Sequence, residues 1–433
     1  MINRLLALAG LLCLTVVGKA DIPAWVSRVD LGRADWMIIA AILVLFMVFP
    51  GVMLFYGGLV RRKNVLSIIL QAAAVVSMTT LMWVLIGYAL SFGTSHMPTD
   101  AVIGNITDTF LFHLHQNLSE HHSVKLAFAI YQMGFAVIAP VLILGGVAER
   151  IKFKAVMVFI FFWELLVYYP VAHTVWGGGF LYHMGVLDYA GGLVVHVSSG
   201  VAALVAACLL GKRCLGQVKE VEPHNRVFVV IGIGILWIGW FGFNGGGSEN
   251  FHILGVAILN TQLAAISAIL FKLFLDHLVR RRVTVIGTSA AAISGLVAIT
   301  PAAGFVGVFG AILIGLISSA ICHFAVRWRH SLGYDDALDA FGLHGVAGLV
   351  GAMLVGVFIS ARLGGAGYPP GLTVNKQLWV QFLAALLVAA WSAFWTFVIL
   401  SVMKRCFSIR VEKADELAGL DISQHGEVGY IDD

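Results

Sequence analysis

Two histidines sit inside long apolar runs, His196 in VVHVSSG and His344 in FGLHGVAG. Each is followed four residues later by a glycine, Gly200 or Gly348, and preceded eight residues earlier by an aspartate, Asp188 or Asp336. Polar groups in apolar surroundings are costly, so they are functional suspects by default. A neutral imidazole carries one donor and one acceptor, so two of them can hold a small polar molecule and relay a proton between their rings. Burial in apolar surroundings disfavours the imidazolium and keeps such a pair neutral. Two readings of the aspartates stay open: they are functional groups, or they cap the free amides at the start of each histidine's helix. Glu164, in FFWELLVYYP, is a further carboxyl within an apolar run and receives no assignment.

The elements that must position these groups are membrane helices. Of 433 residues 60% are apolar and only 12% charged, with a mean hydropathy of +0.94. Soluble proteins carry about a quarter charged residues. This composition excludes a disordered chain, a nucleic-acid binder and a disulfide-stapled secreted domain. The five cysteines show no pair spacing and read as small core residues or inert thiols. Eleven apolar stretches read as spans, at about 36–58, 65–90, 124–147, 155–176, 190–210, 227–244, 252–276, 283–300, 305–326, 341–360 and 377–403. The basic clusters Arg61–Lys63, Arg150–Lys154, Lys212–Arg226, Arg280–Arg282, Arg327–Arg329 and Lys404–Lys413 then share one side. The other side holds only Arg28, Arg33, Lys125, Arg362 and Lys376. The positive-inside rule therefore predicts an N-outside, C-inside chain.

Arg4, the apolar run Leu5 to Val17 and the small residues Gly18 and Ala20 read as a signal peptide over residues 1–20. A transmembrane domain at 21–405 and a cytoplasmic tail at 406–433 complete the chain. The repeated Asp-His-Gly signature implies two related halves, spans one to five and six to ten, with span eleven as an addition. An odd number of spans per half forces opposite orientations, the inverted 5+5 repeat in which functional groups meet near the membrane midplane. Glycines at three-to-four spacing, such as Gly345, Gly348 and Gly351, read as helix-packing positions. His96, His113, His115, His121 and His122 in the longest outer loop invite a metal site. No second ligand cluster accompanies them, a solvated loop explains them, and no metal or cofactor is expected.

The runs FPGVMLFYGGLVRRKNVLS, GGVAERIKF, PVAHTVWGGGF, LDYAGGLVVH, WIGWFGFNGG and FGLHGVAG, in this order, resemble the ammonium transporter (Amt/Mep/Rh) family. The resemblance extends from about Trp36 to Tyr430 and includes the tail around Gly419–Asp421 and His425–Glu427. Trp176 matches the outer-vestibule tryptophan that separates the Amt branch, bacterial type, from the Rh branch. Phe135 in YQMGF and Phe243 in WFGFN match the stacked phenylalanines that close the pore, Asp188 the aspartate beneath the recruitment site, and His196 and His344 the twin histidines. Ser248 in GGGSEN is a candidate for the vestibule serine only if the gap in this shortened segment falls before it. The resemblance implies a transporter rather than an enzyme, a homotrimer in the inner (plasma) membrane, and a PII-type signal protein on the cytoplasmic face.

The chemistry so implied exploits what separates ammonium from potassium: four hydrogen-bond donors and a removable proton. Trp176 would attract the cation by its quadrupole, worth about 0.5–2 kcal/mol. A Phe135–Phe243 constriction would charge a hydrated ion several kcal/mol of desolvation and neutral ammonia far less. Whether the proton follows separately stays open, with electrogenic uptake favoured by the branch. Rival readings are an Rh-type passive gas channel, an ammonium sensor, and a haem enzyme, which would need further histidines such as His173 or His323 beside the pair.

Overall fold

A computed structural model describes residues 31–431 apart from 95–97, 107–108, 113, 115–119, 215–220 and 280–281. The expected signal peptide, and His96, His113 and His115, lie outside the described residues. Among those residues the chain is all helical, with a single isolated bridge between Ile151 and Arg410.

Ten helices are long and apolar enough to cross a membrane. They are α1 (Ala34–Leu59), α2 (Arg62–Phe92), α3 (Val124–Val147), α4 (Phe153–His183), α5 (Gly192–Leu210), α6 (Arg226–Gly245), α7 (Phe251–Val279), α9 (Val308–Arg329), α10 (Phe341–Phe358) and α11 (Val374–Cys406). The stretch expected as the eighth span forms a shorter apolar helix, α8 (Val285–Ile299), of 15 residues. At about 1.5 Å per residue this is less than a hydrocarbon thickness. Its limits have local causes: the Thr284 hydroxyl accepts from the Gly287 amide at one end, and Pro301 follows Thr300 at the other.

Helix packing here depends on small residues, because lipid supplies no hydrophobic drive for helix association. A methyl group at Gly295 of α8 or Gly315 of α9 would collide with the Ala264 carbonyl of α7. One at Gly242 of α6 would meet the Ala40 carbonyl of α1 at 2.8 Å. Large apolar side chains such as Ile42, Leu81, Phe274 and Phe394 cover the outside of the bundle.

One end of the bundle is tied by buried charge. The Glu149 carboxylate accepts from Arg61 at 3.0 Å, Arg213 at 2.7 Å and Asn64 at 2.7 Å. Arg213 also grips Asp335 through Nε and Nη2 at 2.9 Å each. Burial pushes the Glu149 carboxyl up, but Arg213 and Arg61 outweigh it and hold the group below its ordinary range. The tail closes over this cluster. The Leu420 amide donates to Asn64 at 2.8 Å, the Ser67 amide to Asp421 at 2.8 Å and the Val411 amide to the Arg150 carbonyl at 3.1 Å.

Candidate functional site

The site is assembled at the starts of α5 and α10. Each helix opens with a wide π turn, Gly192–Val197 and Phe341–Gly345, and each turn contains one of the two histidines. Such turns free backbone groups and are found often at functional positions. The aspartates are what hold them open. Asp188 Oδ1 accepts from the amides of Gly191 and Gly192 at 3.0 and 2.5 Å, and Oδ2 from Leu193 and Val194 at 2.8 and 3.0 Å. Asp336 accepts from Ala340 at 3.0 Å and Phe341 at 2.7 Å. Burial pushes the Asp188 carboxyl up to about 6, against the pull of its four amides. Both aspartates therefore cap their helices, and Asp188 has little left to offer a ligand although it lines a large cavity.

The glycine of each signature serves the opposite histidine's turn. A methyl group on Gly200 would strike the backbone of Gly345, next to His344. One on Gly348 would meet the Gly192 carbonyl at 2.8 Å and the His196 Cβ at 3.2 Å. The two turns can approach only because both positions lack side chains. As a result His196 and His344 bring their Nδ1 atoms to 3.3 Å, with ring centroids 5.3 Å apart and planes inclined by 16°. His196 Nε2 is buried and has no protein partner.

Above the pair stands a file of aromatic rings. Phe243 lies 5.9 Å from His196 and 4.3 Å from Phe135, and Trp176 meets Phe135 nearly edge-on at 5.6 Å. Phe135 and Phe243 are fully buried. The Trp176 indole donates to the Asp188 carbonyl at 2.8 Å, which fixes the ring over the capped turn. A cavity of about 540 Å³ opens beyond it, lined by Trp176, Phe135, Tyr131, Asp188 and Tyr189 among others. On the far side of the pair, His344 walls a second cavity of about 10 Å³ with Tyr56, Leu142 and Trp240. That is about the space of one small molecule.

The structure thus brings together Trp176, Phe135, Phe243, His196 and His344, with Asp188 beneath the tryptophan. Ser248 sits behind this wall, 5% exposed, its hydroxyl 2.7 Å from that of Tyr189. Glu164 is buried in another wide turn, Glu164–Tyr168, and does not line either cavity. His173 faces the carbonyls of Ser91 and Asp100 at 3.1 and 2.7 Å instead of the pair. Among the described residues no group of three or more side chains could hold a metal ion.

Sequence reasoning passed over Trp240 and Tyr131. Trp240 stacks on His196 at 5.5 Å and 16°, oriented by a hydrogen bond from its indole to the Thr300 hydroxyl at 2.9 Å. The Tyr131 hydroxyl donates to the Phe243 carbonyl at 2.5 Å, and its ring meets Phe135 edge-on at 4.8 Å. Both were legible as helical neighbours, Trp240 three residues before Phe243 and Tyr131 four before Phe135.

The sequence model of the Ammonium Transporter Family matches residues 35–430. An ammonium transporter of Aquifex aeolicus (strain VF5) is 42% identical over 412 residues, covering 93% of this chain and 94% of that protein. One of Bacillus subtilis (strain 168) is 39% identical, covering 93% and 99%. Among solved structures, a Sensor Amt Protein superposes with a TM-score of 0.84 at 29% identity, covering 91% of this chain and 98% of that one. Candida albicans Mep2 superposes with a TM-score of 0.80 at 35% identity, covering 94% and 92%. A chain matched over nearly all its described length by such relatives belongs to the Ammonium Transporter Family, a family of transporters rather than enzymes.

Proposed function

We propose that this transporter recruits ammonium at the cavity above Trp176 and conducts it as ammonia past Phe135 and Phe243 along the His196–His344 pair, the proton being released to water in that cavity or passed separately along the two rings. The observation that carries this reading is the unbroken file from Trp176 to His344, with a cavity at each end. Trp176 and the edge of Phe135 attract a cation by their quadrupoles. The stacked phenylalanines leave no polar partner for an ion's hydration shell, so the charged form pays several kcal/mol to pass and ammonia pays much less. His196 Nε2, buried without a partner, is placed to bond ammonia, and the Nδ1 contact joins the two rings into one proton-sharing unit.

In this reading α8 counts as a span with the ten longer helices, giving eleven, with the vestibule outside and the tail inside the cell membrane. The reciprocal packing of Gly200 and Gly348 supports the inverted repeat. The remaining expectations belong to the same reading: a cleaved signal peptide, a homotrimer, an inner-membrane location and a PII-type partner on the tail side. The test is ammonium uptake in transporter-deficient cells expressing wild type, His196→Ala or His344→Ala. Loss of uptake or of potassium exclusion at matched expression supports the reading, and full uptake with full exclusion of potassium by both variants overturns it. Electrical silence of the purified protein under an ammonium pulse, alongside intact uptake, would favour the passive gas channel.

A further inference from the structure

The outer cavity carries a carboxylate that neither the family motifs nor the aromatic file accounts for. Glu249 lines it together with Trp176, Phe135 and Asp188. Asp188 is already engaged by four amides, whereas Glu249 is exposed and has no ion-pair partner among the described residues. No lysine or arginine lines the cavity among the described residues, and His252 is the one further titratable side chain besides its tyrosines. The position of Glu249 is fixed on both sides. Ser248 before it lies 2.7 Å from the Tyr189 hydroxyl, and Asn250 after it caps α7 by accepting from the Ile253 amide at 2.9 Å.

We propose that Glu249 is a substrate-capturing residue, whose carboxylate raises the concentration of small monovalent cations at the mouth and hands ammonium to Trp176. A cleft lined by one sign of charge between low-dielectric walls focuses the field and enriches counter-ions. The rings beneath can bind a cation but cannot draw one from a distance, because a quadrupole acts only at contact. Capture by Glu249 rests on the conduction reading above and adds a long-range step to it. Selectivity against potassium is left to the constriction below, since a lone carboxylate cannot tell the two cations apart. Glu249 also precedes the first turn of α7, where an acid complements the helix dipole, so its test must separate capture from stability.

The experiment is ammonium uptake by the full chain in proteoliposomes. Wild type, Glu249→Gln, Glu249→Asp and Glu249→Lys are compared at ionic strengths from about 0.01 M to 1 M choline chloride, where the screening length falls from about 30 to 3 Å. Glu249→Gln is expected to raise the half-saturating ammonium concentration about three- to tenfold at low ionic strength with its maximal rate within about twofold of wild type. Glu249→Asp stays near wild type, Glu249→Lys exceeds the Gln effect, and the differences close at high salt. An unchanged half-saturation at low salt, or an increase that salt does not reduce, overturns the proposal, as does a loss explained by a lowered melting temperature. Failure of the conduction reading is seen separately, as full uptake with full exclusion of potassium in His196→Ala and His344→Ala.

Discussion

The Nδ1 atoms of His196 and His344 face each other at 3.3 Å. Two like atoms at this distance form a hydrogen bond only if one ring donates and the other accepts, so the pair shares a proton in one of two tautomeric arrangements. That contact depends on backbone approach between α5 and α10, which the paired glycines permit.

Gly200→Ala is expected to lower the apparent melting temperature in detergent more than Gly348→Ala. The first methyl meets fixed backbone at Gly345, while the second meets the Gly192 carbonyl at 2.8 Å but otherwise side-chain carbon at 3.1–3.2 Å. Overpacking of this kind costs about 1–3 kcal/mol. Melting curves indistinguishable from wild type for Gly200→Ala would show that the two turns are not in contact as described.

Asp188→Asn should weaken both stability and transport. The carboxylate serves four amides with two oxygens, and an amide side chain offers one oxygen, leaving two buried donors orphaned at about 1–3 kcal/mol each. Thermal melts and uptake measured on the same preparation check this. Uptake lost at an unchanged melting temperature would instead point to a direct role in binding.

Trp176→Leu keeps an apolar side chain and removes the ring. The cation–π attraction of about 0.5–2 kcal/mol converts to a roughly two- to thirtyfold rise in half-saturating ammonium. Concentration-dependent uptake reads it, and an unaltered half-saturation would remove Trp176 from the recruitment step.

The Glu149 cluster sets an acid limit on stability. Its folded-state proton affinity is depressed, so its contribution is complete above the ordinary 4.5 and is lost as the pH falls below that value through the folded one. Glu149→Gln leaves Arg61 and Arg213 short of a buried partner and should cost about 3 kcal/mol at neutral pH. The gap between wild type and Glu149→Gln should then narrow as melts are run below pH 4.5. A constant gap across pH 3–7 would rule out ionisation of Glu149 as its source.

Much of this was legible from residue types. Apolar run length located the ten long helices, and the repeated Asp-His-Gly spacing singled out the histidines before any geometry. Spacing could not say whether Asp188 and Asp336 bind ligand or cap. That depends on the π turns, which leave extra amides to be met and have no signature in periodicity. The stretch at 283–300 was as apolar as its neighbours, and only the cap at Thr284 and the break at Pro301 shortened it. Glu249 was invisible as a cavity residue, because the placement of Gly247 and Glu249 on the cavity beside Trp176 is a tertiary fact.

We propose that the conduit between Phe135 and His344 is dry and passes only a molecule that can give up its charge. It is tested most directly by measuring ammonium and potassium fluxes side by side in proteoliposomes containing wild type or His196→Ala. The wild type should move ammonium at least about a hundredfold faster than potassium, as several kcal/mol of ion desolvation requires, and His196→Ala should forfeit most of the ammonium flux or the exclusion of potassium. Comparable fluxes of the two cations through the wild type, or a His196→Ala variant that retains both rate and selectivity, would contradict the account.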